Sequence, residues 1–378
     1  MVGRRTRTAA ALWLLLSGGA ACRRTPPPPP APPSSPPVAP GPYVWRLPAG
    51  IPEPVVPADN PMSEAKVALG RRLFYDTRLS RNQTYACATC HQQRLAFTDG
   101  RARAIGSTGG VHPRSAMSLT NAAYNVSYGW ADPSLRTLEA QMRVPLLNEH
   151  PVEMGVAGSE DEIVRRFQTP DDRARFAAAF PADPAPALQN IVRAIASFER
   201  TIVSGDSPLD RYLYRDDRAA LSPAAVNGMQ LFFSKRLRCS ECHGGFNLSG
   251  PVDFAVAKIH PKPEFHNTGL YDVDGAGSYP ADDHGLKDVT RAPGDMGQFR
   301  APTLRNIAVT APYMHDGSIP TLEGVLDHYA SGGHRSRFRS RAIGGFKLTP
   351  GERANLLAFL HSLTDESLLQ NPAFGPPR

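Results

Sequence analysis

Two pentapeptides constrain this chain more than anything else in it: CATCH, Cys87 to His91, and CSECH, Cys239 to His243. The chain has five cysteines, and these two stretches hold four of them. Both read C-x-x-C-H, the attachment signal of a c-type haem. The spacing has a physical reason. Two thiols three positions apart reach the two vinyl groups of one porphyrin and become thioethers. The adjoining imidazole then meets the iron as its proximal ligand. Two disulfides would not require a histidine after each pair. Zinc would want its four ligands close together, which two separated units supply less naturally. Cys87, Cys90, His91, Cys239, Cys242 and His243 are therefore assigned to two covalently bound c-type haems.

The 378 residues are enough for two domains with proper cores. Each haem site follows the same lead-in. GRRLFY (Gly70 to Tyr75) precedes the first and GMQLFF (Gly228 to Phe233) the second, both reading G-x-x-L-F-aromatic near a helix end. Ser63 is the expected N-cap of the first helix, and Ser222 with Pro223 opens the second. Helix, loop and haem site thus occur twice, as after a duplication. Leu188, Ile191, Val192, Ile195 and Ile202 fall at near-helical spacing within Ala187 to Val203, and SGDSP then ends that helix near residue 206. Thr349 and Glu352 form a capping box before an amphipathic helix. Gly244 to Gly297 is rich in Gly, Asp and Pro and reads as loops; no strand-rich region stands out. The expected fold is mainly α: two cytochrome c-like haem domains with long loops, over 62–205 and 206–366, with a tail over 367–378.

The N-terminus reads as an export signal over residues 1–22. Arg4, Arg5 and Arg7 precede an apolar run, Ala9 to Leu16, too short to span a bilayer. Gly18-Gly19-Ala20-Ala21 and then Cys22 are similar to a lipoprotein cleavage site, with Gly19 where Leu is usual. Two readings stand: a lipid-anchored Cys22, or ordinary cleavage nearby. Residues 23–61 form a proline-rich linker, since proline removes backbone donors and fixes φ. The formal charge of +7 falls to +4 once the three signal arginines are removed. With no basic helix or aromatic-basic interleaving, nucleic-acid binding is not expected. The expected location is periplasmic, with membrane contact only through the N-terminal anchor.

Further stretches carry a resemblance. LTNAAYN (Leu119 to Asn125), PVEMG (Pro151 to Gly155), FRAPTLRNIAVTAPYMHDGS (Phe299 to Ser318) and the LTPGE…LLAFLHSLT ending join the two haem sites. Together, over roughly Met62 to Thr364, they resemble the bacterial di-haem cytochrome c peroxidase and MauG superfamily. The pattern is most similar to its MbnH-type branch, whose members are thought to oxidise a tryptophan on a partner protein.

The resemblance implies roles for particular residues. The haem on His91 is the peroxide site and the haem on His243 the electron reservoir, with Trp130 between them. Gln141, Pro145 and Glu153 build the distal pocket. The interval from Trp130 to Gln141 is one residue longer than the family's, and that from Pro145 to Glu153 two longer. Cleaving the O–O bond requires moving a proton from the near oxygen to the far one. A carboxylate with a pKa lifted by apolar surroundings can do that, and a neighbouring amide can orient the peroxide. Glu153 is the acid/base candidate and Gln141 the orienting residue. Many relatives cap this iron with a loop histidine. That position falls at Ser107, which implies an open haem; His112, several residues on, is the rival cap. A calcium ion between the haems would use the carbonyls of Thr310 and Pro312, with Ser115 in place of the family's Asn.

The second haem needs a sixth ligand. Peroxidases of the family use a Met fourteen residues after the His of HDG. Counting from His315 gives Tyr329, and no Met follows Met314. Thr321 is a good N-cap, and Leu322, Val325, Leu326 and Tyr329 then share one helix face, with His328 turned away. Read alone, Tyr329 is a core tyrosine with its hydroxyl on a hydrogen bond. With the family register it becomes the iron ligand. A phenolate favours the oxidised forms of iron, where a thioether raises the potential. The expected activity is therefore that of a MauG/MbnH-like di-haem oxidase. It would use hydrogen peroxide, via high-valent haem iron, to oxidise an aromatic residue, foremost Trp, of a partner protein. The alternatives are a di-haem cytochrome c peroxidase, fed by a small cytochrome c or cupredoxin, and a non-enzymatic electron carrier.

Overall fold

The repeated glycines, Gly70 and Gly228, are where each half of the molecule is held together. In the computed structural model, which describes Met1 and residues 43–377, both sit on helices that cross a partner at backbone distance. A methyl group on Gly70 would lie 1.8 Å from the carbonyl oxygen of Ala194, and one on Gly228 1.9 Å from that of Asn355. Any side chain there would push the helices apart, so the repeated motif encodes a helix crossing as well as a haem lead-in.

The first crossing pairs α1 (Glu64–Phe74) with a later helix of the same half. Ser63 caps α1 by accepting from the Lys66 N–H at 3.2 Å. Next come α2 (Leu138–Leu147), α3 (Pro170–Ala179) and α4 (Leu188–Glu199), the last being the partner of α1. The second crossing pairs α5 (Pro223–Phe232), capped by Ser222, with α7 (Pro350–His361), whose capping box joins Thr349 and Glu352. Between them α6 (Leu322–Ser331) starts at its N-cap Thr321. A short α8 (Glu366–Gln370) closes the chain. Among the described residues the only β structure is isolated bridges, so the chain is mainly α.

Apolar faces of these helices build two cores. One gathers Leu69, Leu73, Phe74, Ile191, Ile195 and Phe198 from α1 and α4 with residues around them. The other gathers Phe232, Leu322, Leu326, Leu356 and Phe359 from α5, α6 and α7. The chain passes from the first to the second around residues 204–206, yet residues 43–377 lie in one compact unit. The crossing is fastened. One carboxylate oxygen of Asp365 accepts from the Ser204 hydroxyl and from the N–H groups of Gly205 and Asp206, each at 3.0 Å.

Two terminal stretches are more engaged than their composition suggests. The signal, Cys22 and the linker as far as Pro42 lie outside the described residues. Residues 43–61 are extended but packed on the body: Asn60 is fully buried and donates to Glu139 at 2.6 Å, and the Tyr124 hydroxyl donates to the Pro52 carbonyl at 2.7 Å. The C-terminal stretch returns to the first half. Leu368, 2 % exposed, enters the first core. The Tyr75 hydroxyl donates to the Phe374 carbonyl at 2.6 Å, and the Gln93 amide to the Leu368 carbonyl at 2.8 Å.

Candidate functional site: two haem cavities joined at Trp130

Each C-x-x-C-H motif lies on a single helical turn, Cys87–Cys90 and Cys239–Glu241. None of the four cysteines is in a disulfide. A cavity of about 240 Å³ opens on Cys87, Cys90 and His91, and one of about 230 Å³ on Cys239, Cys242 and His243. The two histidines are held alike. His91 Nδ1 is 2.8 Å from the Phe97 carbonyl and His243 Nδ1 3.1 Å from the Pro302 carbonyl. A carbonyl only accepts, so each Nδ1 carries the proton and leaves Nε2 with a lone pair for a metal. Burial lowers both imidazole pKa values, His243 to about 4, so both rings are neutral, as ligation requires.

Gln141, Pro145 and Glu153 all line the first cavity. Gln141 and Pro145 sit one turn apart on α2. The Met154 N–H donates to the Pro145 carbonyl at 2.9 Å and the Ser107 N–H to the Glu153 carbonyl at 2.7 Å, pinning the Glu153 segment from both sides. Gly106 makes this approach feasible, since a methyl group there would meet the Val152 carbonyl oxygen at 1.8 Å. The extra residues between Pro145 and Glu153 bulge outward, with Glu149 and His150 exposed. Burial raises the Glu153 carboxyl to about 7. Its side chain keeps 34 % of its accessible surface, and it lines the cavity. His112 lines the same cavity, its Nε2 3.7 Å from Glu153 Oε1, whereas Ser107 serves the Glu153 backbone.

Trp130 lines both cavities. Its Nε1 donates to the Ser115 carbonyl at 2.9 Å.

Tyr329 lines the second cavity together with Leu322, Val325 and Leu326. Among the described residues no hydrogen bond reaches its hydroxyl. The hydroxyls of Tyr75, Tyr124, Tyr279 and Tyr313 all have partners. Burial raises the Tyr329 phenol pKa well above its ordinary value. His328 points elsewhere, its Nε2 3.1 Å from the Thr268 carbonyl. Met314 and His315 line the second cavity too.

The residues expected around calcium lie near the His315 segment. The Ser115 hydroxyl donates to the Met314 and His315 carbonyls at 3.4 and 3.3 Å. Ser115, Thr310 and Pro312 offer a hydroxyl and two carbonyls, neutral oxygens of the kind calcium accepts. Among the described residues no group of three or more His, Cys, Asp or Glu could hold a bare metal ion.

Several lining residues escaped the sequence reading. Arg300 is 9 % exposed and lines both cavities. Its partners are the Gly129 carbonyl, the Asn125 side chain and the Met117 sulfur; among the described residues no carboxylate reaches it. Burial lowers its pKa to about 10, so it stays charged. A buried cation with only neutral partners fits the carboxylate side chains of a haem. Glu199, 2 % exposed, lines the first cavity with one carboxylate oxygen unpartnered. His266 lines the second with its Nε2 unpartnered. Their signal is three-dimensional: nothing in the neighbouring sequence tells which polar residue of each segment faces a cavity.

Residues 64–218 match the family model for di-haem cytochrome c peroxidase, and residues 298–331 that for a RoxA-like, cytochrome c-like module. The chain is 33 % identical over 323 residues to the methylamine utilization protein MauG of Methylorubrum extorquens, covering 85 % of this chain and 84 % of that one. It belongs to the di-haem cytochrome c peroxidase and MauG family. The cytochrome c551 peroxidase of Pseudomonas aeruginosa is 34 % identical over 318 residues, covering 83 % of each chain. A crystal structure of a MauG-like protein associated with microbial copper homeostasis superposes with a TM-score of 0.85 at 48 % identity, over 89 % of this chain and 99 % of that one. This di-haem family member is thus a haem-dependent oxidoreductase acting with peroxide, and membership implies covalently bound c-type haems.

Proposed function

We propose that the chain is a MauG-type oxidase that uses hydrogen peroxide to oxidise an aromatic residue, foremost tryptophan, of a partner protein. One observation carries the reading: Tyr329 faces the second haem cavity with its hydroxyl free, and no Met follows Met314. The 48 % likeness to a MauG-like protein of copper homeostasis supports it. So does Trp130, on the wall of both cavities.

His91 and His243 would each hold an iron, Tyr329 would be a further ligand to the second, and Arg300 would hold the haem carboxylates. The bound haems supply the iron that takes up two oxidising equivalents from peroxide. Glu153, poised near neutral pH, takes the proton from the near peroxide oxygen and returns it to the far one. Gln141 orients the peroxide by its amide. Pro145 lacks an N–H and, by its carbonyl, holds the Glu153 segment in place. Tyr329 loses its phenolic proton to become a hard anionic ligand. The reading places the enzyme in the periplasm.

The test is the spectrum of the fully ferric holoprotein after peroxide. A prompt change in both haems is expected with no prior reduction. Tyr329→Phe should alter the spectrum of the second haem, and Tyr329→Met should shift the enzyme towards reductive activation. An unaltered spectrum in Tyr329→Phe would remove Tyr329 as a ligand, and a ferric protein indifferent to peroxide would remove the function.

One observation favours a cytochrome c peroxidase that needs reductive activation: His112 holds an unpartnered Nε2 in the first cavity, where it could cap the iron. That reading requires the first haem to be six-coordinate in the ferric state and His112→Ala to open it.

A further inference from the structure

Trp130 packs against an aromatic cluster to which the proposed function assigns no part. Tyr279, 2 % exposed, and Phe299, 8 % exposed, form its centre, with Trp130 and Tyr271 packed on them. The His315 ring joins it, stacked 3.7 Å from Phe299, 6.1 Å from Tyr279 and 6.4 Å from Tyr271. Tyr279 and Tyr271 meet edge to face at 5.5 Å. Hydrogen bonds tie the cluster to Trp130 as well: Trp130 Nε1 donates to the Ser115 carbonyl at 2.9 Å, and the Ser115 N–H to the His315 carbonyl at 2.8 Å. Packed rings thus run from the wall of both haem cavities to Tyr271, which is half-buried. The chain then enters the surface loop 272–277, where Val273 is 61 % exposed.

Chemistry separates the members of this path. A phenylalanine ring and a neutral imidazole are hard to oxidise. A phenol gives up an electron far more readily if its proton leaves in the same step. The Tyr279 hydroxyl donates to the Asn267 amide oxygen at 3.1 Å, which is no base. The Tyr271 hydroxyl donates to a carboxylate, that of Asp316. Burial disfavours the charged form of Asp316. Hydrogen bonds from Tyr271 and Ser318, with His315 nearby, outweigh burial and hold the carboxyl below its ordinary pKa. Asp316 is therefore an ionised, immediate proton acceptor.

The geometry points to Tyr271 as the exit site for oxidising equivalents, the residue at which an aromatic side chain of the docked partner is oxidised. This rests on the proposed function and names its point of delivery. Tyr271 gives one electron inward, along the cluster and Trp130, to the oxidant, hydrogen peroxide taken up at the haem sites. Its phenolic proton passes to Asp316. The partner's ring then gives one electron to the neutral tyrosyl radical, the proton returns from Asp316, and Tyr271 is restored. Two such cycles use the two equivalents of one peroxide: the partner's ring loses two electrons and releases two protons to solvent, and the peroxide takes up two electrons and two protons to leave as two waters.

The experiment adds peroxide to the ferric holoprotein without partner, freezes it and records the electron paramagnetic resonance spectrum. A tyrosyl radical is expected, its splitting collapsing when ring-deuterated tyrosine is incorporated. Tyr271→Phe keeps the packed ring and should abolish the signal. Tyr279→Phe should keep it, and Asp316→Asn should lower its yield at least tenfold. Unchanged resting haem spectra in each variant establish that the fold is intact. A radical that persists in Tyr271→Phe, or is lost in Tyr279→Phe alone, overturns the assignment. No tyrosyl radical despite a haem spectrum that responds to peroxide overturns the exit site alone. No radical and no response overturns the proposed function with it.

Discussion

The Nε2 of His112 stands 3.7 Å from Oε1 of Glu153, and that nitrogen has no hydrogen-bond partner. Burial moves the two groups in opposite directions: it raises the carboxyl to about 7 and lowers the imidazole. Above neutral pH the pair is a carboxylate beside a neutral ring, able to accept the proton of peroxide. The rate of reaction with peroxide should therefore rise as pH climbs through about 7 and level off above it. Glu153→Gln should remove that limb and slow the step by about 10²–10⁴-fold. Stopped-flow traces across pH check both, and an identical pH profile in the variant would discard Glu153 as acid/base.

Glu199 makes a separate statement about stability. Its carboxyl is 2 % exposed and raised to about 8 by burial. The folded pKa lies above the unfolded one, so the folded state holds the proton longer. Stability is full below about 4.5, the unfolded carboxyl's range, and falls as pH rises through about 8. Melting temperatures across that window should decline in the native protein and decline less in Glu199→Gln.

Gly228 and Gly70 each admit a helix crossing that a methyl group would obstruct. Alanine at either position should destabilise the protein by about 1–3 kcal/mol. Thermal unfolding of each variant and of the pair measures this. The two sites share no partner, so their effects should add.

Arg300 puts one buried positive charge beside both cavities. Arg300→Met removes the charge at similar length and should lower both haem potentials, by a shift on the order of 59 mV, a tenfold change in a one-electron equilibrium. Haem content should hold, because attachment is covalent. Spectroelectrochemical titration reads the two potentials, and a change in only one would deny Arg300 its shared position.

Leu368 anchors the C-terminal stretch in the first core. Leu368→Ala should cost about 2–5 kcal/mol and loosen the segment carrying the Phe374 carbonyl, the partner of Tyr75. Amide exchange should speed up in α1 and α8 together.

The two C-x-x-C-H motifs stand out in the sequence because their chemistry is local. Two thiols and an imidazole within five residues point to a porphyrin. The direction of Tyr329 was legible for a related reason: helix register carries a side chain's direction along the sequence, and the structure turns Tyr329 inward and His328 away. The alternative for Tyr329, a hydroxyl tied up in a hydrogen bond, could be decided only in three dimensions, because a hydrogen-bond partner comes from elsewhere in the chain. The same reason hid Arg300, Glu199 and the return of residues 367–377 to the first half. Residue identity and spacing set the covalent attachment points and the helices. Tertiary packing decided which polar side chains are buried at the cavities, since burial belongs to no residue alone but to the segments that close around it.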